Sequence, residues 1–202
     1  AIIAVGIFSE EEIDEMILSS PNIIFLNNNQ NDTIFDRMFI DYDTPVKKCF
    51  EYLKENGARR IAFLNGINEE AGIRIGYRRT EGVRSVMRDE GVYNEDLFLL
   101  GDLTDNSGRE MMRKALSLGA DAVVLGTQLI ENGVLEEYEK SEKKPILVLR
   151  RDIDLDYKKT KYPVVRMCSE QLWEITNLLI YSRLKRPAPP LKVYIQATFE
   201  AI

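Results

Sequence analysis

Short apolar runs recur along this chain, and most are followed by a stretch in which apolar residues return every three or four positions. That alternation constrains the fold more than any other feature. Residues 2–5, 23–26, 38–40, 61–64, 97–100, 122–125, 146–149, 164–167 and 192–197 have the length and composition of strands. The early ones are unbroken Ile, Val, Leu and Phe, the pattern of strands buried on both faces of a parallel sheet. In the intervening segment 44–56, Val46, Cys49, Phe50 and Leu53 follow the i, i+3, i+4, i+7 spacing of one buried helical face. The pattern predicts an α/β fold with a doubly wound, largely parallel sheet.

Local signals punctuate these elements. Ser9 with Glu12 and Ser107 with Glu110 spell capping boxes. Thr44-Pro45 reads as an N-cap followed by proline at the first helical position. Gly57, Gly91 and Gly119 stand where helices end on a left-handed residue. The stretch Arg186-Pro-Ala-Pro-Pro190 stops the helix bearing Trp173 before the last strand.

Composition narrows the function classes. The chain has no histidine, which removes the usual triad base, most zinc ligand sets and the commonest general acid or base. The segment from Gly66 to Gly72 lacks the Gly-Lys-Ser/Thr ending of a phosphate loop, and no nucleophile elbow is present. An enzyme is therefore disfavoured, and no metal or cofactor is expected. A net charge of -6 argues against a nucleic-acid surface within these 202 residues. Cys49 and Cys168 each lie among apolar residues and read as buried reduced thiols. No apolar run approaches the roughly 18 residues of a membrane span, and no signal peptide is visible, so a cytoplasmic location is expected.

Several polar residues sit at the carboxyl ends of predicted strands, where open α/β sheets bind ligands. Asn27 opens an amide-rich run that otherwise reads as a turn. Asp41 ends a strand; with Thr44 taking the cap it is free to face a cleft, and ligand contact and a structural hydrogen bond stay equally open. A helix predicted from about Ala71 carries Arg74, Arg78, Arg79, Arg84 and Arg88, mostly a solvated face. Arg79 stands apart, three residues before Gly82, whose missing side chain would let the helix approach the sheet and the guanidinium fork onto ligand oxygens. Arg150-Arg151-Asp152-Ile153-Asp154 reads as a charged exposed loop, although two arginines there would also suit an anion.

An ordered set of motifs resembles the effector-binding domain of LacI/GalR regulators. It comprises strand 1–5, strand 23–27, Asp41 sixteen residues before Gly57, Gly57-Ala-Arg-Arg-Ile61, Arg79-Thr-Glu-Gly82, Gly101-Asp-Leu-Thr-Asp-Asn-Ser-Gly108 and Ala120-Asp-Ala-Val-Val-Leu-Gly126. The resemblance implies a periplasmic-binding-protein-like type I fold: two α/β subdomains joined by three crossovers, with an effector between them. It implies an incomplete N-terminal subdomain from 1–40 and 168–190, and a C-terminal one from 41–167 and 191–202. The family's DNA-binding headpiece, hinge and opening βαβ unit have no counterpart among these residues.

By the same resemblance Arg79 and Asp41 match effector-contacting positions. Leu103 falls where a family member stacks an aromatic on a sugar ring, and Thr127-Gln128 replaces an Asn-Asp pair. Arg151 stands where the family places an aspartate that holds sugar hydroxyls or a purine. An arginine can only donate, so this substitution points to an anionic effector, a sugar acid or sugar phosphate, between Arg79 and Arg151. The alternative is that Arg151 turns to solvent or pairs with Asp152 or Asp154. The reading implied is the effector-binding and dimerisation core of a transcriptional regulator, a homodimer in which helices 10–18 and 172–181 are candidate contributors. The alternative is a solute-binding receptor of a sugar transport system, which an upstream signal peptide instead of a helix-turn-helix would identify.

Overall fold

The structure is a computed structural model describing residues 1–26, 34–70, 73–152 and 160–202. The elements in chain order are β1 (Ile2–Val5), α1 (Glu10–Ser19), β2 (Ile23–Leu26), β3 (Asp36–Asp41), α2 (Asp43–Glu55), β4 (Ile61–Gly66), β5 (Asn68–Glu70), β6 (Ile73–Ile75), α3 (Tyr77–Asp89), β7 (Phe98–Gly101), α4 (Asp105–Ser117), β8 (Ala122–Leu125), α5 (Glu131–Lys140), β9 (Ile146–Arg151), β10 (Val164–Arg166), α6 (Ser169–Lys185), β11 (Lys192–Gln196) and β12 (Thr198–Glu200). The chain divides into two compact units, Ala1–Asp41 with Cys168–Ala197, and Tyr42–Met167 with Thr198–Ile202, so it passes between them three times.

The first unit is a parallel sheet in the order β1-β2-β3-β11. Alternation along β2 sends Ile23 and Phe25 into a cluster with Ala4, Ile13 of α1 and Phe35. From α6, the buried Thr176 hydroxyl meets Met38 Sδ at 3.1 Å. At the start of β3 the buried Asp36 accepts a fork from Arg183 of α6, at 2.7 and 2.8 Å, and the Leu191 amide at 2.8 Å. That carboxylate ties α6 and the entry of β11 to β3. Lys192–Gln196 then pairs with Arg37–Asp41, so this strand lies in the first unit, whereas the resemblance had assigned 191–202 to the other subdomain.

The second unit holds a six-stranded sheet, β12-β10-β9-β8-β4-β7, parallel except for β12 at its edge. Strand parity sorts its core. Ile61, Phe63, Ala122, Val124, Val148 and Val165 pack against Val46, Phe50 and Leu53 of α2 and Val83 and Met87 of α3. Ala62, Leu64, Val123, Leu125, Leu147 and Leu149 pack against Met111, Met112 and Ala115 of α4 and Val134 of α5. Two apolar faces require two helical layers, and the chain supplies a pair for each.

The Ser9–Glu12 capping box is present, and Gly57, Gly91 and Gly119 take positive φ at helix ends. Three local expectations fail. α2 begins at Asp43 after an uncapped Tyr42, so Thr44 is not the cap; Pro45 falls in the first turn, where no intrahelical N–H is needed. α4 is capped by Thr104, whose Oγ1 accepts from Ser107 N, while Ser107 Oγ accepts from Asp102 N. The helix expected from about Ala71 starts at Tyr77, after Gly76 at φ +83°. β5 and β6 form a hairpin in its place, and Arg74 pairs there with Glu69.

Candidate functional site

In the second unit β4 has β7 on one side and β8, β9 and β10 on the other, so the winding reverses between β4 and β8. Ligands of open α/β sheets bind beyond the carboxyl ends of the strands at such a reversal. Asn65, Gly126, Thr127, Arg150 and Arg151 all lie at these ends.

The most concentrated chemistry there comes from Tyr42, Arg79, Arg150 and Asp152. Arg150 is the penultimate residue of β9, on the Val148 face toward α2 and α3, and its side chain is 2% exposed. Its Nε donates to Asp152 Oδ1 at 2.7 Å, and its guanidinium carbon lies 3.5 Å from the centre of the Tyr42 ring. The Tyr42 hydroxyl donates to the same Asp152 oxygen at 3.1 Å. Arg79 approaches from α3, with Nη2 3.6 Å from Asp152 Oδ2. Arg150 Nη2 is buried without a hydrogen-bond partner.

The electrostatics follow from burial. Tyr42 is pushed up to about 12 by desolvation, which Arg150 opposes and Asp152 reinforces, so it stays a neutral phenol. Burial pushes the Asp152 carboxyl up, but Arg150, Arg79 and the hydrogen bonds it accepts outweigh this and hold it below its ordinary value. Burial lowers Arg79, with Asp152 acting against it. The cluster therefore contains two cations, one anion and one neutral donor.

Arg150 and Asp152 correct the reading of their segment as an exposed loop. Arg151 also departs from expectation. One residue further along β9 it faces the opposite side, with Leu147 and Leu149, and forks onto Glu131 at the start of α5, Nη2 to Oε1 at 2.6 Å. Its side chain is turned to Glu131 and is 18% exposed, while the alternative partner Asp154 lies outside the described residues. The two guanidiniums that share a carboxylate are thus Arg79 and Arg150, not Arg79 and Arg151.

Thr127 is buried, and its Oγ1 accepts from Leu129 N to start a short helical turn. Leu103 covers the end of β4: a Cβ built on Gly66 would fall 2.6 Å from its Cδ2. Asp41 ends β3 in the first unit, its carbonyl accepting from Ala197 N at 2.9 Å. Asn27, with the amide run it opens, and Asp154 lie outside the described residues. Gly82 does not serve close packing, since a Cβ there would meet only Asp43 Oδ1 at 3.6 Å.

Sequence reasoning overlooked Asn65 and Tyr42, and it placed Asp152 in an exposed loop or opposite Arg151, not opposite Arg150. Asn65 is fully buried at the end of β4; its Nδ2 donates to Thr80 Oγ1 at 2.9 Å and its Oδ1 has no partner. The available signal was a polar residue ending an otherwise apolar strand. Among the described residues there is no group of acidic, histidine and cysteine side chains able to hold a metal, and no helix long and apolar enough to cross a membrane.

No protein-family model matches the chain. The HTH-type transcriptional regulator GalR of Streptococcus thermophilus is 24% identical over 145 residues, covering 69% of this chain and 44% of its own length. The HTH-type transcriptional repressor MelR of Bacillus subtilis is 19% identical over 212 residues, covering 98% of this chain and 60% of its own length. The chain thus spans less than two thirds of the length of these curated relatives. Among solved structures, a LacI-family transcriptional regulator from Enterococcus faecium with bound ribose superposes with a TM-score of 0.78 at 19% identity, covering 98% of this chain and 76% of that one. The chain is similar in sequence to LacI/GalR-type regulators, and its fold is that of their periplasmic-binding-protein-like effector domains.

Proposed function

We propose that this chain is the effector-binding and dimerisation core of a LacI/GalR-type transcriptional regulator, with no catalytic role of its own. A small molecule of the sugar or sugar-derivative class would shift an equilibrium between conformations by its differential affinity for them. A DNA-binding headpiece outside these residues would read the result in the cytoplasm. One observation carries the reading: Arg79, which the resemblance matches to an effector contact, lies in a mostly buried polar cluster at the carboxyl ends of a doubly wound sheet. The regulator names of the relatives and the ribose in a neighbour of the same fold support it over a transport receptor.

Asp41 and Thr127 are proposed as further effector contacts. For self-association, α6 leaves Leu178, Tyr181 and Leu184 at least 60% exposed, and α1 leaves Leu18 88% exposed. Sedimentation should show a dimer at micromolar concentration. A thermal-shift screen against sugars, sugar phosphates and nucleobases tests the sensing role. Saturable stabilisation by a sugar-type ligand is expected, and a flat response across the panel would remove the reading.

A further inference from the structure

Three arginines of this protein fork onto a carboxylate, and two others share one. Arg183 forks onto Asp36 at 2.7 and 2.8 Å, Arg113 forks onto Glu137 at 2.9 and 3.0 Å, and Arg151 forks onto Glu131. Each uses two nitrogens on one carboxylate, the geometry a planar guanidinium favours, and among the described residues no second arginine draws on that carboxylate, although Glu137 also accepts from Lys140 at 2.8 Å. Arg150 and Arg79 differ. They share the single carboxylate of Asp152; Arg150 reaches it through Nε alone, and Arg79 stands 3.6 Å away, beyond hydrogen-bond distance. Arg150 Nη2, in a side chain that is 2% exposed, has no acceptor.

Among the described residues, Asp152 is the only carboxylate in ion-pair contact with either arginine. The cluster is therefore short of one negative charge and of acceptors for donors already removed from water, a costly arrangement to leave unfilled. Arg79 and Asp152 remain 26% and 28% exposed, so the cluster is open at the side where these two meet.

We propose that this cluster is an oxyanion receptor with a built-in competitor. The carboxylate or phosphate of a small-molecule effector displaces Asp152 from Arg150 and Arg79, and Asp152 holds the two cations together until it arrives. The proposal rests on the effector-binding reading and names the chemical class of that effector. A second oxyanion supplies the acceptors that one monodentate carboxylate cannot. Tyr42 remains a neutral donor beneath Arg150 and can serve either anion. The displaced Asp152 is the residue immediately after β9, so its release does not require the strand to unpair.

Titration calorimetry of the chain with inorganic phosphate, gluconate, glucose 6-phosphate and glucose tests this. Gluconate against the phosphates separates the two sources of oxyanion. At least one anionic probe should bind, and Asp152→Asn should bind it about tenfold more tightly, the size of one modest ion-pair contribution. Arg150→Met should abolish binding, and Arg79→Lys, which keeps the charge but loses the fork, should weaken it. The anion should also raise the melting temperature of Asp152→Asn more than that of the wild type. Should Asp152→Asn not fold, loss of anion binding in Arg79→Lys decides the matter. The proposal is overturned if no anion binds, or if the Asp152 and Arg79 variants leave anion affinity unchanged. Tight binding of glucose unaffected by these substitutions would overturn it while leaving the regulator reading in place.

Discussion

The Arg150 guanidinium rests on the Tyr42 ring, its carbon 3.5 Å from the ring centre, and the Tyr42 hydroxyl donates to the carboxylate that Arg150 also holds. One aromatic side chain from the start of α2 thus holds Arg150 of β9 by a cation–π contact and Asp152, 110 residues after Tyr42, by a hydrogen bond.

The two contacts are separable. Tyr42→Phe keeps the ring and should lower stability by about 1 kcal/mol, the worth of one hydrogen bond. Tyr42→Leu removes both and should cost about 1 kcal/mol more. Urea unfolding measures the difference, and equal losses would deny the ring a role. Because Tyr42 is raised to about 12, its contribution is complete below the ordinary tyrosine value near 10 and is lost as pH rises toward 12. Tyr42→Phe should therefore lose less stability than wild type across that alkaline window.

On the acid side, the Arg113 and Lys140 side chains hold the Glu137 carboxyl down to about 2. A depressed carboxylate stabilises the fold above its ordinary pKa near 4.5, and that share is lost as pH falls toward 2. Glu137→Gln should start less stable at neutral pH and show a flatter acid limb in pH-dependent denaturation. Parallel limbs for the two proteins would contradict the assignment.

Two glycines should respond to alanine in opposite directions. At Gly133 an added Cβ would fall 1.8 Å from the Asp105 carbonyl oxygen, forcing α5 away from α4, so Gly133→Ala should cost about 3 kcal/mol. At Gly82, inside α3, a Cβ meets nothing closer than 3.6 Å, so Gly82→Ala should stabilise by about 0.5–1 kcal/mol. Thermal melts of both variants provide the check, and destabilisation by Gly82→Ala would restore a close-packing role for that glycine.

Arg151 is a structural partner of Glu131, so Arg151→Asp should destabilise by about 2 kcal/mol through like-charge contact. The reversed pair, Arg151→Asp with Glu131→Arg, should recover part of that loss in a double-mutant cycle. A fully stable single variant would mean that the ion pair contributes nothing.

The order of residues along the chain sets the alternation of buried strands and amphipathic helices, and with it the α/β class. Ser9 and Glu12, and the glycines at 57, 91 and 119, act within a few residues of their own helix, so their roles were readable locally. Arg79 was legible through its place in an ordered motif. The side on which Arg150 and Arg151 act was only half legible. A strand's two-residue period separates them onto opposite faces, but which face receives α3 with Arg79, and which receives α5 with Glu131, depends on how the crossovers wrap the sheet. The pairing of β11 with β3 was likewise out of reach, because it depends on Asp36 holding Arg183 and the Leu191 amide, more than 140 residues away. Only the folded chain puts Tyr42, Arg79, Arg150 and Asp152 within reach of one another, since charge and burial act through space, whereas periodicity acts along the chain.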